Sequence, residues 1–146
     1  MDLNGEVLFV SPFPRAWAEG LPNRWAWVAA PRVHLGAAPN LGGYTSKVYA
    51  GLTWTAALAR DVMWAGDALR FDFFFGGSLH DGKLETDDPK RRALGSAGLF
   101  RVGAEIGWQA TPRWSVSAFF DHDSNGNLAP PNGSLNSYGL RLGLAF

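Results

Sequence analysis

The 146 residues contain no cysteine, and 13 basic and 13 acidic side chains cancel to a formal net charge of zero. A chain of this length forms one domain, residues 1–146, with a sizeable core. The composition excludes a disulfide framework, a thiol nucleophile and a thiolate metal site, and the balanced charge gives no indication of a nucleic-acid partner.

The chain begins with MDLNGEVLFV, which has no basic n-region, no apolar core and no cleavage site. This segment is therefore not a secretory signal. No run of about 18 apolar residues follows it, which excludes a membrane-spanning helix. The chain is accordingly either cytoplasmic or a mature or truncated form.

Alternating apolar residues predict strands, which clusters of Gly, Pro, Asn and Asp separate. Several of these strands are longer than the five or six residues or so that are usual in globular proteins, and roughly nine to eleven residues cross a bilayer when tilted. The segment 12–24 is too rich in proline to be a convincing strand. In chain order, the predicted strands lie near residues 3–11, 25–37, 46–58, 62–80, 96–110, 113–124 and 134–146.

The two faces of these strands differ in character, because successive side chains point to opposite sides. Near 96–110, one face is apolar, with Phe100, Val102, Ala104, Ile106 and Trp108, and the other holds Arg101, Gly103, Glu105, Gly107 and Gln109. Segments 46–58, 62–80 and 134–146 divide in the same way. Taken together, the polar face carries Glu6, Arg32, His34, Lys47, Arg70, Asp72, Arg101, Glu105, Asp121 and Arg141.

Two architectures have such a division of faces. A soluble barrel or sandwich turns the apolar face inward, whereas an outer-membrane barrel turns it towards lipid. The second is favoured, because a small barrel has room inside only for modest side chains and here the polar face is rich in Gly, Ser and Thr. We therefore expect an all-β, antiparallel up-and-down transmembrane β-barrel. Trp25, Trp54, Trp108 and Trp114 fall near predicted strand ends, where either an aromatic girdle or ordinary core aromatics would lie.

Three polar residues interrupt the apolar face at the end of the chain. His122 and Ser124 have the parity of Val116, Ala118 and Phe120. If 113–124 and 134–146 form a hairpin, a register that pairs 124 with 134 places Asn136 beside His122 on the outer side. A serine, a histidine and a third group that orients the imidazole are the components of a serine esterase. The alternative is a polar strand end that turns into a loop.

The residues that end the chain resemble the PagL-type lipid A 3-O-deacylases, which are also called acyloxyacyl hydrolases. The resemblance rests on HDSNGNLAPPNGSLNSYGLRLGLAF, which contains His-x-Ser-Asn, a short loop and an alternating last strand that ends in Phe146. PRVHLGAAPNLGGYTSKVYAGLTWT, FGGSLHDGKL and RWSVSAFFDH are also similar to the family. The similarity covers the chain from about residue 5 onward.

This resemblance implies an outer-membrane enzyme of a Gram-negative bacterium that removes the ester-linked 3-hydroxyacyl chain from lipid A of lipopolysaccharide. Ser124 would be the nucleophile, His122 the general base and Asn125 a contributor to the oxyanion hole. The partners implied are lipid A and outer-membrane lipids, and whether the barrel forms a homodimer stays open. No metal or organic cofactor is expected, since His34, His80 and His122 are scattered without metal-like spacing.

The chain departs from the family in two ways. The family has an acidic residue at the position of Asn136, and an asparagine can hold the imidazole but cannot stabilise the imidazolium; in a serine protease the equivalent loss costs about 10⁴ in turnover. The family also has eight strands where about seven are visible here, so its signal peptide and first strand are expected to lie upstream of Met1. The alternatives are a weakened or inactive barrel of the same family, or a soluble lipocalin-like lipid binder.

The loop HDGKLETDDPKRRALG has mixed charge and is expected to be a solvated extracellular loop. A second interpretation is that Lys90, Arg91 and Arg92 contact the phosphates of lipid A. NLGGY at 40–44 predicts a turn and not a phosphate cradle, because no helical pattern follows it. Asn132 and Gly133 predict the turn of the last hairpin.

Overall fold

Alternation of side-chain character along the chain produces one antiparallel sheet in the computed structural model, which describes residues 2–13, 17, 19, 21–22 and 25–145. Each strand pairs with the next in chain order, and the sheet curls into a half-barrel. The expected all-β, up-and-down architecture is therefore confirmed. The strands are β1 (Gly5–Leu8), β2 (Arg32–Ala38), β3 (Lys47–Arg60), β4 (Ala68–His80), β5 (Gly98–Gln109), β6 (Trp114–Ser124) and β7 (Leu135–Leu144).

One short 3-10 helix, Ala26–Ala29, precedes β2. In the described part of the chain, no helix has the length and apolar character needed to cross a membrane. The prediction that a strand begins near residue 25 is wrong, because the N–H of Val28 bonds to the carbonyl of Trp25 at 3.0 Å and closes a turn. Most of the proline-rich segment 12–24 lies outside the described residues.

The prediction that a strand begins near residue 62 is also wrong, because Asp67 closes a turn over 61–67. Its carboxylate accepts hydrogen bonds from the backbone N–H groups of Val62 and Met63, the latter at 2.9 Å, and from Trp108 Nε1 at 2.9 Å. Burial raises the pKa of Asp67, but the hydrogen bonds from Trp108 and from the backbone of Met63, Val62 and Trp64 outweigh it, so the pKa lies below its ordinary value. β4 consequently starts at Ala68.

The concave side of the sheet buries charge. Six ionisable side chains there are each at most 6 % exposed, namely Lys47, Asp72, Arg101, Glu105, Asp121 and Asp123. The convex side exposes Leu, Val and Phe side chains, such as Leu35, Phe75, Phe100, Leu140 and Leu142. The apolar face therefore points outward, as in outer-membrane barrels. The alternative of a lipocalin-like binder with an apolar interior is wrong.

Arg101 lies at the centre of this interior with no exposed surface. Its Nε donates to Asp121 Oδ2 at 2.8 Å, and its guanidinium stacks 3.8 Å from the ring centre of Tyr49 and 4.3 Å from that of Phe74. Any side chain at Gly103 would collide with the Phe74 ring. The small residues of the polar face thus make room for a few large rings and ion pairs, in accord with the narrow interior of a small barrel.

The two outermost strands, β1 and β7, share no backbone pairing within the described residues. Side chains connect them instead. Arg141 on β7 donates from Nε to Asn4 Oδ1 at 3.0 Å and lies 3.5 Å from the carboxylate of Glu6 on β1. Its Nη1 also bonds Glu105 Oε2 at 2.6 Å, which ties both edges to the middle of the sheet.

The tryptophans lie at different levels of the sheet. Trp108 and Trp114 are at the facing ends of β5 and β6, as expected of an aromatic girdle, whereas Trp54 is in the middle of β3. Trp25 is 52 % exposed and Trp114 45 % exposed, so these two are not core aromatics.

Candidate active site on the outer face

Three connections meet at one end of the sheet, which we call the site rim: residues 39–46, 81–97 and 125–134. β6 runs towards this rim and ends there at Ser124. Since His122 is two residues earlier in the same strand, both side chains lie close to the rim and on the same face. The end of β6 therefore presents a histidine and a serine where the apolar face meets the loops.

Asn136 lies directly opposite His122 in the β6–β7 pair. His122 Nδ1 and Asn136 Oδ1 are 2.8 Å apart, a hydrogen-bond distance. Both the register predicted from the sequence and the expected proximity of these two side chains are confirmed.

With Asn136 Oδ1 facing the ring, this contact is a hydrogen bond in one tautomer of His122. A carboxamide oxygen only accepts hydrogen bonds, so Nδ1 must be the donor. Nε2 then keeps its lone pair, which is the form a general base requires. The histidine is thus oriented and held in a usable tautomer without any charged partner.

Ser124 pairs with Phe100 of β5 and lies two residues beyond His122 in β6. Residues two apart in a strand are about 7 Å apart at Cα. In the part of the chain that the structure describes, no hydrogen bond joins Ser124 Oγ to the His122 ring. Catalytic hydrogen bonds are often long without substrate, so the missing bond does not by itself exclude the pair from catalysis.

The neighbouring carboxylates, Asp121 and Asp123, point to the opposite face. Neither has exposed surface, and Lys47 Nζ forms ion pairs with both, at 3.0 Å in the case of Asp121. Asp123 also accepts a hydrogen bond from Ser78 Oγ at 2.6 Å. These two carboxylates therefore belong to the ion-pair network of the interior and do not reach His122, as their parity predicts.

Asn125 follows the serine and is 2 % exposed. Its Nδ2 is within hydrogen-bond distance of three carbonyls, those of Leu94 (3.0 Å), Ala129 (2.7 Å) and Pro131 (3.3 Å). Its Oδ1 accepts the backbone N–H of Asn127 at 2.9 Å. The Asn125 side chain therefore organises the loop after Ser124, and its amide hydrogens are already engaged.

The chain turns sharply immediately after Asn125. Gly126 and Asn127 both have left-handed backbone angles, with φ of 64° and 65°. Within the described residues, the backbone N–H of Gly126 makes no hydrogen bond. A free N–H two residues after the serine is a donor available to an oxyanion.

An apolar groove of about 900 Å³ crosses the outer face beside Ser124. Along one level of the sheet, the paired residues are Leu35, Ala50, Gly77, Phe100 and Ser124 in that order. The small side chains of Ala50 and Gly77 form its floor, while Leu128 and Ala129 of the rim loop line it next to Phe100. Its size is in the range of small-molecule sites, and its lining suits a hydrocarbon chain.

No group of three His, Asp or Glu side chains is placed to hold a metal ion in the described part of the chain. His34 is fully buried and contacts Thr53 and Arg101, and His80 bonds the carbonyl of Ser96 at 2.7 Å. Each of these two histidines therefore already has a hydrogen-bond partner in the protein.

Sequence reasoning missed the packing of one rim loop on another. Leu94 has no exposed surface, although it lies in a highly charged loop. The one signal that could have indicated this was the ALG segment, an apolar residue before Gly95 in an otherwise polar stretch. The groove was also missed, because it depends on which small residues share a level of the sheet.

The half-barrel with a charged interior, an apolar exterior and a serine near an oriented histidine defines a class: β-barrel proteins that carry a candidate hydrolase site on the apolar outer face. The comparison with family models is more specific. The model of the lipid A 3-O-deacylases (PagL) matches residues 16–145, and the chain belongs to this family of outer-membrane hydrolases. No curated protein and no solved structure matches the chain.

Proposed function

We propose that this protein is an outer-membrane lipid A 3-O-deacylase that works as a serine esterase, with Ser124 as nucleophile and His122 as general base. The observation that carries the proposal is the 2.8 Å contact between His122 Nδ1 and Asn136, next to Ser124 on the outer face. Family membership supports the hydrolysis of lipid A, and the residue roles are our assignment.

In the first step, Ser124 Oγ attacks the carbonyl carbon of the 3-O-acyl ester while His122 Nε2 takes the hydroxyl proton. His122 then returns this proton to the sugar oxygen, which leaves as the alcohol. In the second step, His122 removes a proton from water, which attacks the acyl-Ser124 ester. His122 then returns the proton to Ser124 Oγ as the 3-hydroxy fatty acid leaves. Asn136 keeps the imidazole in place through both steps.

The oxyanion needs donors that are fixed before reaction. We assign this role to the Gly126 N–H, and we assign to Asn125 the task of holding the loop through its bonds to Leu94, Ala129 and Pro131. The family's asparagine would then contribute to the oxyanion hole through the backbone that it shapes.

The outward direction of the site suits a substrate that never leaves the membrane. An outer-membrane location would place the apolar face in the acyl region, with the site rim near the headgroups of lipopolysaccharide. The groove over Ala50 and Gly77 would hold the acyl chain to be released.

The test is mass spectrometry of purified lipid A before and after incubation with protein folded in detergent. We expect the loss of one 3-hydroxyacyl group with the parent protein and no loss with Ser124→Ala, a change that removes one oxygen. Heat-modifiable mobility on a gel shows that both proteins are folded. Equal deacylation by the two folded proteins would exclude Ser124 as the nucleophile.

A second candidate function is a barrel of the same family that has little or no activity. The neutral carboxamide of Asn136 favours it, because a carboxamide does not stabilise the charged imidazolium that forms when His122 accepts a proton. Absence of deacylation by the folded parent, together with activity of Asn136→Asp, would identify this case.

A further inference from the structure

Three consecutive cations, Lys90, Arg91 and Arg92, lie on the 81–97 loop of the site rim, and we call them the basic triplet. None of the three forms an ion pair within the described residues. The cationic partners in the ion pairs found there are Arg32, Lys47, Arg70, Arg101 and Arg141. The side chains of the basic triplet are therefore not neutralised by ion pairs there, and Asp88 of the same loop contacts the triplet through the backbone N–H of Lys90, at 2.9 Å.

The loop that carries the triplet is attached to the loop that follows Ser124. The N–H of Gly133 bonds to the carbonyl of Ala93 at 2.8 Å, and Asn125 Nδ2 bonds to that of Leu94 at 3.0 Å. The Leu94 side chain is fully buried. Because the residues immediately after Arg92 are fixed in this way, the triplet has a defined position relative to the candidate active site.

Arg91 is also held from the other side. Its Nη1 donates to the carbonyl of Gly43 at 3.0 Å, and its guanidinium lies 4.9 Å from the ring centre of Tyr44. The predicted turn at 40–44 is present and is closed by Asn40 Oδ1, which accepts the N–H groups of Gly42 and Tyr44, both at 2.8 Å. An arginine braced by two contacts loses little freedom when it binds a ligand.

The three cations line a cavity of about 150 Å³ at the site rim, together with Tyr44, Thr45 and Asn136. This volume holds several water molecules, each with a share of about 30 Å³, and therefore has room for a phosphate group. Asp2 also lines the cavity, and its carboxylate bonds the side-chain amide of Asn40. Lys47 lines the cavity as well, but it is paired with Asp121 and Asp123. The three cations of the triplet therefore outnumber the one carboxylate in the lining, which leaves the cavity cationic.

Asn136 belongs both to this cavity and to the contact with His122. A group bound in the cavity is therefore one residue away from the catalytic histidine. We propose that the basic triplet and Asn136 form a subsite for a phosphate monoester on the sugar headgroup of the substrate, which orients the glycolipid so that its ester reaches Ser124. This inference rests on the proposed function for the identity of the lipid.

The binding test uses full-length Ser124→Ala protein folded in detergent micelles, so that no hydrolysis interferes. Affinity is measured by tryptophan fluorescence for lipid A and for the same lipid A after removal of its phosphates. We expect the phosphorylated form to bind about 10- to 100-fold more tightly at low salt, and the difference to shrink as ionic strength rises. Lys90→Gln/Arg92→Gln should abolish most of this preference.

The matched control is Lys83→Gln/Arg113→Gln, which removes the same number of charges at positions that do not line the cavity. It should keep the preference. An unchanged preference in Lys90→Gln/Arg92→Gln, or an equal loss in the control pair, would overturn the proposal. If the protein bound inorganic phosphate but bound the two lipids equally well, the cavity would be an anion site that does not recognise the lipid headgroup. This result would also overturn the proposal.

Failure of the proposed function gives a different pattern. Binding is measured in a non-hydrolysing variant, so a lack of deacylation by the parent protein leaves these affinities unaffected. If the proposed function holds and the subsite does not, the parent and the Lys90→Gln/Arg92→Gln variant deacylate lipid A at the same kcat/KM.

Discussion

Replacing Asn136 by aspartate changes one charge in the candidate active site and almost no volume. The Oδ1 atom that lies 2.8 Å from His122 Nδ1 becomes a carboxylate oxygen in the same place. The carboxylate then stabilises the imidazolium that forms as Ser124 loses its proton. We expect Asn136→Asp to raise kcat.

The size of the increase follows from Coulomb's law. Two unit charges about 4 Å apart attract by about 1 kcal/mol in bulk water and about 4 kcal/mol at an effective dielectric constant near 20. Since about 1.4 kcal/mol corresponds to a tenfold change in rate, these limits give about 5-fold and about 10³-fold. Asn136 is exposed but lies on an apolar face, so we expect about 10²-fold.

The assay is release of 3-hydroxy fatty acid from lipid A by folded protein, followed by mass spectrometry over time. Asn136→Leu, which has a similar size and no acceptor, is the matched control and should fall below the parent. A change of less than about 5-fold in folded Asn136→Asp, or equal rates in the Asp and Leu variants, would show that His122 does not depend on this position.

Three further predictions concern the groove, the interior and a turn. Gly77→Leu should reduce kcat/KM for long acyl chains about tenfold without unfolding the barrel, because a Cβ at Gly77 meets only the Leu99 carbonyl oxygen, at 3.6 Å. Acyl-chain competition would check this, and equal rates for short and long chains would contradict it. Arg101→Met should lower the free energy of unfolding in urea by about 3–5 kcal/mol, because the buried carboxylate of Asp121 loses one of its two cationic partners and keeps only Lys47. Adding Asp121→Leu should recover part of the loss. Asp67→Asn should lower the urea midpoint above about pH 5; since the folded pKa of Asp67 is lowered, this difference should vanish as the pH falls through that pKa, and a constant difference would refute the cause.

The sequence predicts the faces of this sheet better than the ends of its strands. Alternation identifies Arg101, Glu105 and Asp121 as interior and Phe100 as exterior, because the period of two is a direct consequence of strand geometry. The start of β4 at Ala68 is not predicted, because the turn before it depends in part on the hydrogen bond from Trp108 to Asp67, and Trp108 is distant in sequence.

In the candidate site, too, some features are predictable from the sequence and others are not. The opposition of His122 and Asn136 follows from hairpin register, and it is predictable because the apolar pattern of both strands permits only registers of one parity. The role of Asn125 in joining two loops is not predictable, since it depends on the position of Leu94, 31 residues earlier in the chain. The cavity of the basic triplet is not predictable either, because residues distant in sequence, among them Tyr44, Arg91 and Asn136, line it together.

The outward direction of Ser124 and His122 has a kinetic consequence. An enzyme with these residues on its convex face would meet its substrate by lateral diffusion in two dimensions, so the relevant concentration is the mole fraction of substrate in the surface and not its amount per volume. Diluting lipid A with inert detergent at constant bulk concentration would therefore slow the reaction, and a competitive inhibitor would first have to partition into the same layer.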